Sequence, residues 1–272
     1  MTKKAWAGRF TAPTDQSLAE FGSSIGFDTR LYKQDIEGTR AYAKALVKAK
    51  VLKQAEYAQI SSALSKIEKD IADGKVKFSK QHEDVHMNIE MLLTEKVGEA
   101  GKKIHTGRSR NDQVVTDFRM YVRDEIVSVK ALLKQFQKTL IKLADEYIDI
   151  AMPGYTHMQK AQPVLLSHHL LAYYQMFKRD SQRFDECLER VNILPLGSAA
   201  LAGTGYEIDR KLIARELGFS AVSKNSMDAV SDRDFAIEFL SDCAVCMMHL
   251  SRLAEELVLW ATSEFKFIEL AD

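Results

Sequence analysis

Three short stretches of the sequence concentrate groups able to hold anions or move protons. Thr106-Gly107-Arg108-Ser109-Arg110-Asn111-Asp112 gathers two guanidiniums, two hydroxyls and an amide just ahead of a helical pattern. A helix N-terminus offers unpaired N–H groups and partial positive charge, and arginine grips a carboxylate through two parallel hydrogen bonds. The stretch therefore fits a carboxylate or phosphate site; it equally fits an N-cap flanked by two solvated arginines. Gly154-Tyr155-Thr156-His157-Met158-Gln159-Lys160-Ala161-Gln162-Pro163 lies between two apolar-periodic segments. Its histidine can exchange protons near neutral pH. The same residues also suit a polar interhelical turn in which His157 satisfies backbone carbonyls. His82-Glu83-Asp84-Val85-His86 places two histidines four apart, which on a helix leaves room for a metal. No further ligand follows at a telling spacing, so no metal is expected. Capping or supporting roles for Asp84 and His86 fit better.

Other candidates read as structural. Cys243 and Cys246 fall in the apolar stripe of a helix and read as two buried thiols. One of His168 and His169 is expected in the core, and His249 reads as structural. The Gly197 to Gly205 loop follows no strand and lacks the lysine of a P-loop.

The elements that must position these groups are helical. The 272 residues include only 13 glycines and 4 prolines, about half the usual share, which disfavours a turn-rich β fold. Residues up to about 30 read as irregular. Apolar spacing predicts helices over about Thr29–Lys50, Lys53–Asp73 (stopped by Gly74) and Glu83–Val97 (stopped by Gly98 and Gly101). Then Val115, Phe118, Val122, Ile126, Val129, Leu133, Phe136, Leu140, Leu143 and Tyr147 recur at intervals of three and four, without Gly or Pro between them. That seam predicts one helix roughly 55 Å long. A second long helix is expected from about Pro163, with Leu165, His169, Ala172, Met176, Phe184, Leu188 and Val191 as its stripe. Asp209 is expected to cap a short helix ending at Gly218. Ser231 is expected to cap a third long helix whose seam runs from Phe235 to Trp260. The fold class is thus all-α: a small N-terminal helical domain (1–108), then long antiparallel helices of a central bundle (109–272). Three long seams without a fourth helix predict oligomerisation or a missing continuation.

Charge narrows the partners. Thirty-eight basic and 38 acidic side chains balance, which disfavours nucleic acid and anionic membranes. No apolar run reaches the roughly 18 residues that span a bilayer. The start lacks a signal-peptide core, and three cysteines form no disulfide framework; a cytoplasmic protein is expected.

The stretches also resemble known signature blocks. Thr106 to Gln113 and Gly154 to Pro163 resemble two blocks of the argininosuccinate lyase family, within the fumarase and aspartase superfamily. So do Trp6-x-Gly8-Arg9-Phe10, Glu83-Asp84-Val85-His86 and Asn225-Ser226-Met227-Asp228-Ala229-x-Ser231-x-Arg233-Asp234, in family order. The resemblance implies a cofactor-free, reversible anti elimination of argininosuccinate to arginine and fumarate, in arginine biosynthesis. It implies His157 as the acid/base histidine and Ser24, His86, Ser109, Arg110, Asn111 and Thr156 as substrate-binding residues. It also implies a homotetramer with shared active sites. Adenylosuccinate lyase and a non-enzymatic, crystallin-like relative are the alternatives it leaves. Gly203-Thr204-Gly205-Tyr206 departs from the family, which has an Asn-Pro turn there. The family's flexible Gly-Ser-Ser-x-Met-Pro-x-Lys-x-Asn loop comes just after the segment matching Asp272, so residues 1–272 alone are expected to be inactive.

Overall fold

The computed structural model describes residues 15–271; the Trp6 to Phe10 block lies outside the described residues. The chain forms two compact units, each discontinuous in sequence. One comprises Met1–Phe118 with Leu194–Ser231, the other Arg119–Ile193 with Asp232–Asp272.

The first unit starts with short helices where the sequence read as irregular. Asp15 caps α1 (Gln16–Phe21) by accepting from the Ser17 and Leu18 amides. Ser24 opens α2 (Ile25–Asp28), and a 3-10 turn (Thr29–Leu31) leads into α3 (Tyr32–Lys48). α4 (Gln54–Ala72) and α5 (Val85–Val97) follow within two residues of their predicted bounds. α5 ends at Gly98, whose φ of 61° suits glycine; Gly101 lies inside the next short helix, α6 (Glu99–Lys102). The predicted stripes meet here. Ile36, Tyr42 and Leu46 of α3 and Ile60, Leu64 and Ile67 of α4 are buried with Val85, Ile89 and Leu93 of α5. Each such side chain contributes about 1.5–3 kcal/mol of burial.

α7 (Arg110–Glu146) is 37 residues long, and its first turns belong to the first unit. In the second unit its predicted seam holds: Val122, Ile126, Leu133 and Leu140 are buried. α7 is followed by β1 (Ala151–Thr156) and β2 (Gln159–Leu165), an antiparallel hairpin, and then by α8 (Leu166–Val191). α8 therefore begins three residues after Pro163. Pro163 pairs across the hairpin with Pro153; neither proline can donate to a ladder, which masks the strands in the sequence. The α8 stripe holds at Phe184 and Val191, but its first half sits one residue along from the predicted His169, Ala172 and Met176. Leu170, Tyr173, Phe177, Asp180, Phe184, Cys187 and Val191 face inward, while Leu165 and Ala172 are exposed. The buried Asp180 hides that register from a search for apolar residues. His249 satisfies it at 2.7 Å, as befits a structural histidine.

After α8 come β3 (Ile193–Leu194), α9 (Arg210–Leu217), β4 (Ala221–Val222), α10 (Ser226–Ser231) and α11 (Asp234–Trp260). α9 is capped as expected: Asp209 accepts from the Leu212 amide, and Gly218 is left-handed. Ser231 does not cap α11. It ends α10 and donates back to the Met227 carbonyl, while the Asp232 carboxylate accepts from the Asp234 amide. The α11 seam from Phe235 through Cys246 and Leu253 to Trp260 is buried, though Cys243 is only half-buried. Burial raises the Cys187 thiol to about 12 and the Cys246 thiol to about 11, so both are inert at neutral pH.

In the second unit α7, α8 and α11 run antiparallel in turn. Arg123 reaches Asn192 and Phe136 meets Phe177 edge to face, so α8 descends as α7 ascends. Phe184 meets Phe239 and His169 meets Glu256, which reverses direction again. The all-α reading holds. Among the described residues, no helix is long and apolar enough to cross a membrane.

Candidate active site

Of the seven sequence-selected positions, five lie in the first unit and two in the second. In the first unit the stretch at Thr106–Asp112 is a built turn. Tyr42 donates to the Thr106 carbonyl at 2.9 Å, and the Arg108 guanidinium lies over the Tyr42 ring. Gly107 has a φ of 71°, and a Cβ there would meet Thr204 and Tyr206, so only glycine fits. Arg108 is buried and donates to Thr39, so it is not a solvated arginine.

Asp112 organises the turn. One carboxylate oxygen accepts from the Ser109 amide at 3.0 Å, the other from the Gly197 and Ala199 amides at 2.9 and 2.8 Å. It is fully buried, and burial pushes its carboxyl up against the three N–H groups that favour the charge. Asn111 donates to the Ala200 carbonyl at 3.0 Å, and the Ser109 hydroxyl accepts from the Asn111 amide. The Gly-rich loop is thus tied to the helix start. Arg210 holds that loop from its other side through the Leu196 carbonyl and Ser223.

Arg110 is partly exposed and fixed on two edges. Its Nε lies 2.9 Å from Asp84, and one terminal nitrogen donates to Gln113. Asp84 also caps α5 through the Met87 amide at 2.6 Å. Ser24 donates to Asp28 at 2.6 Å, and the same Asp28 oxygen accepts from the Val85 amide at 3.2 Å. Ser24, Ser109, Arg110 and Asn111 are therefore all anchored in this unit, about the start of α5 and of α7.

His86 sits beneath them. It is 2% exposed, with Nδ1 2.9 Å from Asp35 and 3.2 Å from Asp117. Burial alone would lower the imidazole; the two carboxylates outweigh it and raise it to about 10. Burial works to raise Asp35 as well, but His86 and the Arg108 and Arg110 guanidiniums hold it well below the usual carboxylate range. Asp117 goes the other way: burial, with the Asp35 charge adding, lifts it to about 7. His82 lies ahead of α5, so the two histidines do not share a helical face.

Thr156 and His157 belong to the second unit, at the tip of the hairpin. His157 and Met158 have φ of 52° and 57°, the positive values of a two-residue turn closed by the Thr156–Gln159 pair. Such a turn favours Asn-Gly, so a His-Met pair there carries backbone strain. His157 is exposed. The hairpin, rather than a plain interhelical turn, is what presents it. Below the tip a cleft of about 480 Å³ is lined by Tyr155, Thr156, Trp260 and Phe265, with Glu256 hydrogen-bonded to His169 on its wall.

The lyase family model matches residues 8–272. The chain belongs to this lyase family. The chain is 56% identical over 269 residues to the argininosuccinate lyase of Moorella thermoacetica, covering 99% of its own length and 58% of that protein. It is 53% identical over 269 residues to the argininosuccinate lyase of Acetivibrio thermocellus, covering 99% and 59%. The chain thus spans less than three fifths of these curated relatives. A crystal structure of EDDS lyase in complex with formate superposes with a TM-score of 0.82 at 31% identity, covering 90% of this chain and 48% of that one. A class II fumarase from Schistosoma mansoni, at 15% identity and a TM-score of 0.76 over 87% of this chain and 58% of that one, shares the fold.

Asp35 and Asp117 were not singled out by sequence reasoning, and Asp112 and Gln113 stood in the selected stretch without a role. Their signal is a polar residue recurring on a buried helical face. Asp112 and Thr116, and Gln113 and Asp117, are each four apart on α7, and all four are buried.

Proposed function

We propose that the protein carrying this chain is an argininosuccinate lyase, acting in the cytoplasm as a homotetramer with shared active sites. The observation that supports this most is the identity of 53–56% to argininosuccinate lyases along 99% of the chain. The chain supplies the N-terminal helical part (1–108) and a portion of the central bundle (109–272). The reaction is an anti elimination. A base takes the proton from the carbon beside a carboxylate, the charge spreads into that carboxylate, and an acid protonates the departing guanidinium nitrogen. His157 is the acid/base histidine, carried on the strained hairpin tip. Ser24, Ser109, Arg110, Asn111 and Thr156 hold the substrate, and His86 lies near the pocket. Donors fixed ahead of time stabilise charge that develops only in the transition state. The turn bound by Asp112 has that fixed character.

Fumarate release from argininosuccinate, followed by its ultraviolet absorbance, tests the reading. Turnover is expected from the parent protein, with a loss of about 10²–10⁴-fold in His157→Asn, the usual worth of a general acid or base. No turnover by the parent would sink it.

A further inference from the structure

The bonds behind Arg110 form a line that ends in the core. Arg110 donates to Gln113 Oε1. Gln113 Nε2 donates to Asp35 Oδ1 at 2.5 Å. Asp35 Oδ1 in turn lies 2.9 Å from His86 Nδ1. Gln113, Asp35 and His86 are 3%, 1% and 2% exposed, whereas the Arg110 side chain is 28% exposed. Burying an amide, a carboxylate and an imidazole is costly compared with apolar side chains of the same volume. What such a network can supply is a unique geometry.

The geometry here follows from donor and acceptor counting. An ionised carboxylate only accepts, and a guanidinium only donates. With Asp35 on one side and Arg110 on the other, the Gln113 amide has one allowed orientation: nitrogen toward Asp35, oxygen toward Arg110. Without the Asp35 charge the amide can turn over and set its NH₂ against the guanidinium. Asp84, with Glu90 at 3.9 Å, would then be left to hold Arg110.

We propose that Gln113 and Asp35 are positioning residues of the lyase, and that His86 acts through them on Arg110 rather than by touching substrate. The proposal rests on the reading of Arg110 as a substrate-carboxylate ligand. His86 fixes Asp35, Asp35 fixes the Gln113 amide, and the amide fixes one edge of the guanidinium. The Nη2 group, 3.9 Å from a Glu90 carboxylate oxygen, is left for the ligand.

The test is Gln113→Met, which keeps the volume and removes both bonds, together with Asp35→Asn, which keeps the shape and removes the charge. Thr39→Val is the control: it breaks a buried bond in the same unit, to Arg108, outside the line. In the full-length enzyme Gln113→Met and Asp35→Asn should raise KM for argininosuccinate about tenfold, the worth of one hydrogen bond to a charged group, with kcat within about twofold. Thr39→Val should leave KM unchanged at a similar loss of thermal stability. A crystal structure of Gln113→Met should show Arg110 turned away from its parental orientation. Parental KM in Gln113→Met, or Arg110 unmoved in that crystal structure, overturns the proposal. If the parent fails to turn over argininosuccinate, the function reading falls, and the orientation of Arg110 in the variant crystal decides this one.

Discussion

At His86 burial and charge pull in opposite directions, and charge wins. The imidazole rises from an ordinary 6.5 to about 10 because Asp35 and Asp117 face it within 3.2 Å. The consequence for stability has a definite sign. Between pH 6.5 and 10 the folded protein keeps a proton that the unfolded chain has released, so stability falls as pH rises through that window. Asp117, raised to about 7, has finished losing its proton near the start of it, and Asp35 is ionised throughout. From pH 7.5 to 8.5 His86 gives that slope about 1 kcal/mol per pH unit, and above pH 8 the buried Cys187 and Cys246 thiols add to it in the same direction. Urea unfolding of the parent across this range should show that slope, and His86→Gln should flatten it. Parallel slopes would mean that His86 is neutral in the fold. This cluster was only half legible in the sequence. His86 stood out as a histidine beside a capping aspartate. Asp35 and Asp117 lie 82 residues apart, on helices whose apolar neighbours hid them.

At the scale of elements, helices were legible and the hairpin was not. α4 and α7 follow from spacing alone, because one apolar face repeats over several turns. β1 and β2 carry prolines at Pro153 and Pro163 and a bulge between Pro153 and Tyr155, so neither strand shows a clean alternation. Gly154 makes the bulge possible. A Cβ there would stand 2.8 Å from the Gln162 carbonyl oxygen, a backbone atom that cannot swing aside. Gly154→Ala should thus cost about 1–3 kcal/mol and shift the hairpin that carries His157. A displacement near 1 Å at a catalytic group costs roughly 10²-fold in rate. Gly26→Ala is the matched control, since a Cβ there meets nothing within 4 Å. Thermal unfolding and fumarate release on both variants give the check. Equal behaviour of the two would show that the bulge does not set the position of His157.

For the whole molecule the open question is what covers the outer face of α11. Its inner face is the predicted seam, buried against α8. Its outer face carries Ile237, Leu240, Met247 and Val258, each exposed by 60% or more. Their spacings of three, seven and eleven keep them on one stripe. α7 adds Val127 and Leu132, exposed by 57% and 63%. A helix that is apolar on opposite faces belongs inside an assembly, since stripes of this size on a lone surface promote association. The proposed tetramer buries them between copies, where obligate interfaces resemble a core cut in half. Glutamates there would face desolvation without a partner, at several kcal/mol for each buried charge. Ile237→Glu combined with Leu240→Glu should therefore shift the full-length protein from tetramer to smaller species in sedimentation velocity at micromolar concentration. Lyase turnover should fall with the tetramer, because each proposed site draws on more than one copy. A double variant that sediments with the parental mass would place the stripe outside the interface. One that dissociates yet keeps full turnover would show that a single copy holds a complete site.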